Sequence, residues 1–156
     1  MIRVVLAAVL AVAVLGASLP AVEDARADRT ATRVDTSVER LSAAGSALAY
    51  GSDATSDAAA APTRTVTFSL PSPTWTSAGI DYVAVGGQPG GQGNRSVVTY
   101  AVAGGTETTR RLSLPVELRT PNGPIVLRGY GDRPISVALR RTADGPVLVA
   151  SRAYSG

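Results

Sequence analysis

The stretch LGASLPAVEDARADR, residues 15–29, decides how this chain is built, because an uncharged apolar segment meets a charged, alanine-rich one inside it. Cleavage within it would release a β protein alone, whereas a helix running through it would make a rod with a head. Upstream, residues 4–19 carry no charge and are rich in Ala, Val and Leu, with Arg3 and the α-amine ahead of them. At about 1.5 Å per residue this run measures about 24 Å as a helix, and residues 1–22 about 33 Å, against a hydrocarbon core of about 30 Å. Residues 1–22 are therefore read as a transmembrane anchor or a signal peptide. Ala25-Arg26-Ala27 before Asp28 has the small-x-small pattern of a cleavage site, and Pro20 could break the helix ahead of it. Glu23 and Asp24 intervene, however, and the weaker alternative Leu19-Pro20-Ala21 puts a large residue where a small one belongs.

Downstream, Ala27, Ala31, Val34, Val38, Leu41, Gly45 and Leu48 recur at alternating four- and three-residue steps, while Asp28, Arg29, Arg33, Asp35, Glu39 and Arg40 lie off that seam. This predicts an amphipathic helix over 23–50, with Pro20 tolerated at its first turn, where a missing N–H costs nothing. Ala and Gly make the stripe thin. It suits packing on the following domain, or self-association through 27–48 with a neighbouring subunit, better than an autonomous coiled coil. The favoured reading of 15–29 is an uncleaved anchor with residues 23–156 outside the cytoplasm.

Composition narrows the chemistry. Cys, His and Lys are all absent, which excludes disulfides, thiolate chemistry, a Walker-type phosphate loop, a Schiff base and a histidine-activated serine. With one Trp, one Phe and five Tyr in 156 residues, the core must come from Val, Leu, Ile and Ala, which favours strands. The net charge of +3 is concentrated beyond residue 62. Nucleic-acid binding would need Arg clusters interleaved with aromatics, and the doublets Arg110-Arg111 and Arg140-Arg141 stand alone, as solvated strand faces do.

Residues 51–63, GSDATSDAAAAPT, are small and polar and read as a flexible linker or a frayed helix end rather than a site. Beyond it the period becomes two: Val66, Phe68 and Leu70 alternate with Thr65, Thr67 and Ser69. Further strands are expected near 80–85, 95–103, 107–119, 125–129, 134–141 and 146–153. Within the fourth of these seven, Pro115 argues for an edge strand or a break. Short connectors such as Gly104-Gly105 and Pro121-Asn122-Gly123-Pro124 imply antiparallel pairing. The expected class is α+β: an N-terminal transmembrane helix continuing as an amphipathic helix, then a small antiparallel β-sandwich-like domain over 64–156.

Candidate sites are few. VGGQPGGQGNRS, residues 85–96, matches no phosphate-loop pattern and reads as a mobile surface loop, with Asn94-Arg95-Ser96 a glycosylation sequon on Asn94. The acids Asp81, Glu107, Glu117, Asp132 and Asp144 are scattered, without metal-ligand spacing. Trp75 and Tyr130 sit among turn residues, where each either plugs the end of the core or stands exposed for binding; with Arg128 and Arg133 they are the candidate partner-binding residues. No catalytic, cofactor-binding or metal-ligating residue is assigned, and no cofactor is expected.

The opening IRVVLAAVLAVAVLGASLPAVEDARADRTATRVD, the linker after it and the RTVTFSLP strand resemble a domain-of-unknown-function family of small haloarchaeal proteins. The resemblance rests on the SLPAVEDAR and TVTFSLP wording and implies N-terminally membrane-anchored proteins accompanying pilus or secretion machinery. It transfers no catalytic residue. Two departures stand: the chain is slightly basic where haloarchaeal proteins are acid-rich, and MIRVV is too short for a pilin peptidase site. The likeness to a pilin is one of layout: apolar helix, polar helix, β head. The expected function is thus a non-enzymatic, membrane-anchored extracytoplasmic structural or assembly protein. Its expected partners are the membrane and the proteins of such an assembly, without nucleic acid. The alternative is a secreted or anchored ligand-binding β module.

Overall fold

A computed structural model describes residues 2–153, with the side chains at 2, 3, 15 and 17–19 outside the description. The chain forms one long helix, α1 (Ile2–Gly51), followed by eight strands. At about 1.5 Å per residue α1 is about 75 Å long. It runs through Pro20, which therefore lies inside one helix rather than at the first turn of a second. Proline deprives the Gly16 carbonyl of its N–H partner. Gly16 and Pro20 are both exposed, so that carbonyl is not trapped in a core. Further along, Thr32, Thr36 and Ser37 donate their hydroxyls to the carbonyls of Asp28, Thr32 and Arg33, which accommodates polar residues in mid-helix.

The two halves of α1 differ completely. Every described side chain from residue 4 to residue 25 is exposed, among them Val4, Val5, Leu6, Val9, Leu10, Val12, Val14 and Val22. From Thr30 onward the seam is buried: Val34, Val38, Leu41, Gly45 and Leu48 face the β domain, with Ala27 and Ala31 packed at its margin. The seam thus serves the chain's own sheets. Among the described residues no helix is long and apolar enough to cross a membrane. The transmembrane reading of 1–22 draws in part on Met1 and on the side chains at 2, 3, 15 and 17–19, which lie outside the description.

The strands are β1 (Thr63–Leu70), β2 (Ile80–Val85), β3 (Val97–Val102), β4 (Glu107–Arg111), β5 (Leu118–Arg119), β6 (Ile125–Leu127), β7 (Gly131–Thr142) and β8 (Gly145–Arg152). They form two four-stranded sheets ordered β1-β7-β8-β5 and β4-β3-β2-β6, antiparallel except for β5 beside β8. Alternation sets the register. Val66, Phe68 and Leu70 of β1 and Ile135, Val137 and Leu139 of β7 point into one core with Val83, Val85, Val98 and Tyr100 of the second sheet. The helix packs along the edge strand β1 and reaches β3, so its seam joins the core of both sheets and covers their open side.

The span 107–119 is broken into two short strands, the second of the alternatives that Pro115 suggested: β4 ends at Arg111 in one sheet and β5 begins at Leu118 in the other. The alternation nonetheless persists in burial, with Leu112 and Leu118 buried and Leu114 and Val116 half-buried, while Pro115 lies in the crossing between sheets. Residues 51–63 are not a flexible linker. Leu139 N–H donates to the Pro62 carbonyl at 2.9 Å, one residue beyond the β1–β7 ladder, and Arg141 N–H donates to the Thr55 carbonyl at 2.9 Å in an isolated parallel bridge, so the segment is tied to β7 at two points. The Arg140 and Arg141 guanidiniums donate to the carbonyls of Ser56 and Ala54, a role for that doublet beyond solvation.

Gly45, a weak position in the seam by hydrophobicity, is where the helix approaches most closely. A Cβ there would stand 2.7 Å from Leu114 Cδ2 and 2.9 Å from Leu148 Cδ1. Gly45→Val is expected to destabilise the fold by about 1–3 kcal/mol through overpacking, despite the better helix propensity of valine. Urea denaturation followed by circular dichroism measures this.

Candidate functional site

The β1–β2 connection, residues 71–79, is fastened to α1 just past its apolar part. Thr30 Oγ1 donates to the Ala78 carbonyl at 2.6 Å, and Ala78 N–H donates to the Arg26 carbonyl at 3.2 Å. Its tip is ordered by Thr74, whose N–H donates to the Ser77 carbonyl at 2.9 Å and whose hydroxyl accepts the Ser77 N–H at 3.1 Å. Trp75 stands on that tip, 95% exposed. Arg26 reaches the Ser77 carbonyl at 3.5 Å, and its Nε is buried without a partner. Arg26, Pro73, Thr74 and Trp75 line a shallow cleft of about 440 Å³.

Tyr130, Arg128 and Arg133 lie at the same end of the molecule, because Leu70, which leads into that connection, pairs with Gly131, and Phe68 pairs with Arg133. Arg128 and Arg133 line one cleft of about 600 Å³ with Arg152 and Asp132. Tyr130 is half-exposed beside it, and Trp75 belongs to the other cleft. The four candidate residues thus share an end of the fold, and only the two arginines share a cleft. Asp132 accepts from the Ser69 hydroxyl at 2.5 Å.

The Arg128 guanidinium lies 5.8 Å from the centroid of the Tyr82 ring. The Tyr82 hydroxyl donates to Glu107, which also accepts from Gln88 Nε2 at 2.8 Å. Burial, then the hydrogen bond to Glu107, pushes the Tyr82 phenol up to about 12. A pKa raised on folding contributes stability that is whole below the unfolded value of 10.0 and is lost as pH climbs through about 12. Between those limits wild-type resistance to urea is expected to fall further than that of Tyr82→Phe, a comparison read from denaturation midpoints.

A second polar cluster lies where α1 meets the second sheet. Asp35 receives Arg110 in a two-point grip, Nε at 3.2 Å and Nη2 at 3.0 Å, and the Tyr100 hydroxyl at 3.2 Å. Burial, followed by the Asp35 charge, raises the Tyr100 phenol above its ordinary value. This geometry fixes the helix to β3 and β4. Sequence reading assigned Arg110 to a solvated strand face; the missed signal was Asp35, directly beside the seam residue Val34.

The loop 85–96 is held in place rather than mobile. Thr120 N–H donates to Asn94 Oδ1 at 2.8 Å and Asn94 N–H to Thr120 Oγ1 at 3.0 Å. Gly86 and Gly93 press so closely on the buried Thr120 that a Cβ at either would lie within 2.6 Å of Thr120 atoms. Asn94 has φ 62°, a left-handed conformation that asparagine tolerates better than most residues. Its place in the loop is therefore accounted for by backbone geometry and this pairing, while its residue remains exposed.

Chemically, this end of the protein offers cations, an indole and phenols. Among the described residues no group of three or more His, Cys, Asp or Glu is placed to hold a metal ion. Among the described residues, the two phenols with altered acidity, Tyr82 and Tyr100, are shifted upward, away from use as phenolate nucleophiles near neutral pH. No curated protein and no solved structure matches the chain. A family model matches it over residues 1–153, nearly its whole length, and the chain therefore belongs to the family described as a domain of unknown function, DUF7311.

Proposed function

We propose that this protein is a non-enzymatic, membrane-anchored structural or assembly component, with its β domain outside the cytoplasm on a helical stalk. One observation carries the reading: the described side chains of α1 from residue 4 to residue 14 are all apolar and all exposed, whereas in the later half of the same helix the apolar seam is buried against the sheets. Exposed apolar surface of this extent signals a missing environment. A protein partner or a second helix would require an apolar stripe, but here the helix is apolar around its circumference, as suits lipid. Residues 4–22 are uncharged throughout, and a helix of that length, about 28 Å, approaches the hydrocarbon thickness of about 30 Å. The layout of apolar helix, polar helix and β head, together with the SLPAVEDAR and TVTFSLP resemblance, supports a place in a pilus- or secretion-type assembly.

Alkaline-carbonate extraction of membranes from expressing cells, followed by intact-mass measurement, tests this function. Retention in the membrane of a product that keeps its apolar segment is the expected result. A soluble product beginning between Ala21 and Asp28 would identify a signal peptide and a secreted β module.

A further inference from the structure

We propose that the end of the β domain facing the apolar half of α1 docks on the bilayer surface, with Trp75 as its interfacial anchor. The inference rests on the membrane reading above and adds a second point of contact, supplied by the head rather than by the helix. The 71–79 connection is bonded to α1 at Arg26 and Thr30, and Arg26 stands four residues past Val22, the last apolar residue of the segment. Four residues of helix rise about 6 Å. The headgroup region on each side of a bilayer is about 5–8 Å deep, so a side chain at this height meets headgroups when residues 4–22 occupy the hydrocarbon.

The residue held at that height is an indole. Trp75 is the sole tryptophan of the chain, is 95% exposed, and sits on a turn ordered by Thr74 and Ser77. A rigid turn that holds the largest apolar side chain in water gains nothing from water. Indole prefers the membrane interface, where its ring meets acyl carbons and its N–H meets headgroup oxygens. Beside it, Arg26 lines the same shallow cleft, which places a cation next to the indole at headgroup depth. Tyr130 and Arg133 lie at the same end by the β1–β7 register, adding a second amphipathic ring and a cation. Glu23, Asp24 and Asp28 alternate here with Arg26 and Arg29, so docking depends on the indole rather than on net charge. The consequence is a β head seated against the membrane, its orientation set by two contacts instead of one swivelling stem.

Because Trp75 is the sole tryptophan, its fluorescence reports directly. The full chain is reconstituted into phosphatidylcholine vesicles whose acyl chains carry bromine either near the carbonyl end or near the methyl end. Docking predicts blue-shifted emission, protection from aqueous acrylamide, and stronger quenching by the shallow bromines than by the deep ones. A Trp75→Phe/Tyr50→Trp variant moves the indole to an exposed site 24 residues beyond Arg26, about 36 Å along the helix, and is expected to lose shift, protection and quenching together. If the chain floats with the vesicles while Trp75 emission matches that of the Tyr50→Trp control, docking is overturned and anchoring stands. If the chain does not float, both readings fall.

Discussion

Leu41→Asp is expected to separate helix from sheets and to abolish the cooperative unfolding transition of the β domain. Leu41 is 1% exposed and lies in the buried cluster shared by α1 and both sheets. Loss of a buried leucine side chain alone costs about 2–5 kcal/mol. A carboxylate placed there must either remain charged without a partner or bind a proton against its normal preference, and either adds to that cost. The total exceeds about 4 kcal/mol, comparable with the whole stability of many small domains at about 5–15 kcal/mol. Glu39→Ala, two residues away on the exposed face, should change stability by less than about 0.5 kcal/mol. Urea denaturation of the two variants side by side measures the difference. Equal behaviour would mean that the helix does not belong to the core.

The second large effect concerns location rather than folding. Val9 and Val12 are exposed, one turn apart, within the apolar part of α1. Arginine near the middle of an inserted helix costs about 2.5–3.5 kcal/mol on insertion scales. Val9→Arg/Val12→Arg should therefore disfavour insertion by about 6 kcal/mol, roughly a factor of ten thousand in partitioning. The double variant is expected to leave the membrane fraction while its β domain unfolds at the wild-type urea concentration, because neither residue touches the core. Val9→Leu/Val12→Leu should stay with the membrane. Coincident loss of location and stability would tie the apolar half to folding of the head instead.

The legibility of this fold followed the strength of local patterns. The seam from Ala27 to Leu48 was readable because helical periodicity and burial coincide, and β1 was readable because Val66, Phe68 and Leu70 alternate without interruption. Between Leu112 and Leu118 the same alternation misled, since side chains can alternate between core and water while the backbone crosses from one sheet to another. Composition misled at 51–63, where small polar residues resemble a linker. The ordering there comes from carbonyls that bond to Arg140, Arg141 and the β7 backbone, contacts about 85 residues distant that no local signal reveals. The glycines of 85–96 had the same effect, because two of them, Gly86 and Gly93, serve close approach to Thr120.

The candidate site was legible in its parts and not in its arrangement. The turn residues around Trp75 and Tyr130 left open whether each plugs the core or stands exposed; their exposure and their common end of the fold depend on β1–β7 register and on the bonds that tie residue 78 to Thr30 and Arg26. The Asp35–Arg110 pair was hidden for a similar reason: its partners are separated by 75 residues. Pro20 shows the limit of reasoning by residue type. Its ring disfavours a helix interior, yet α1 continues through it at a place where Gly16, Pro20 and residues 21–25 are exposed.

The central claim is that one helix lies half in the bilayer and half against an extracytoplasmic β domain. The absence of cysteine from the sequence makes a labelling test clean. Single cysteines are placed at Val9, at Thr36 on the exposed face of the buried half, and at Tyr50, and intact cells are treated with a membrane-impermeant thiol reagent. The account expects labelling at 36 and 50 and none at 9, with no change at 36 and 50 when the cells are permeabilised. Labelling at 9 equal to that at 36, or labelling at 36 that appears only after permeabilisation, would contradict it.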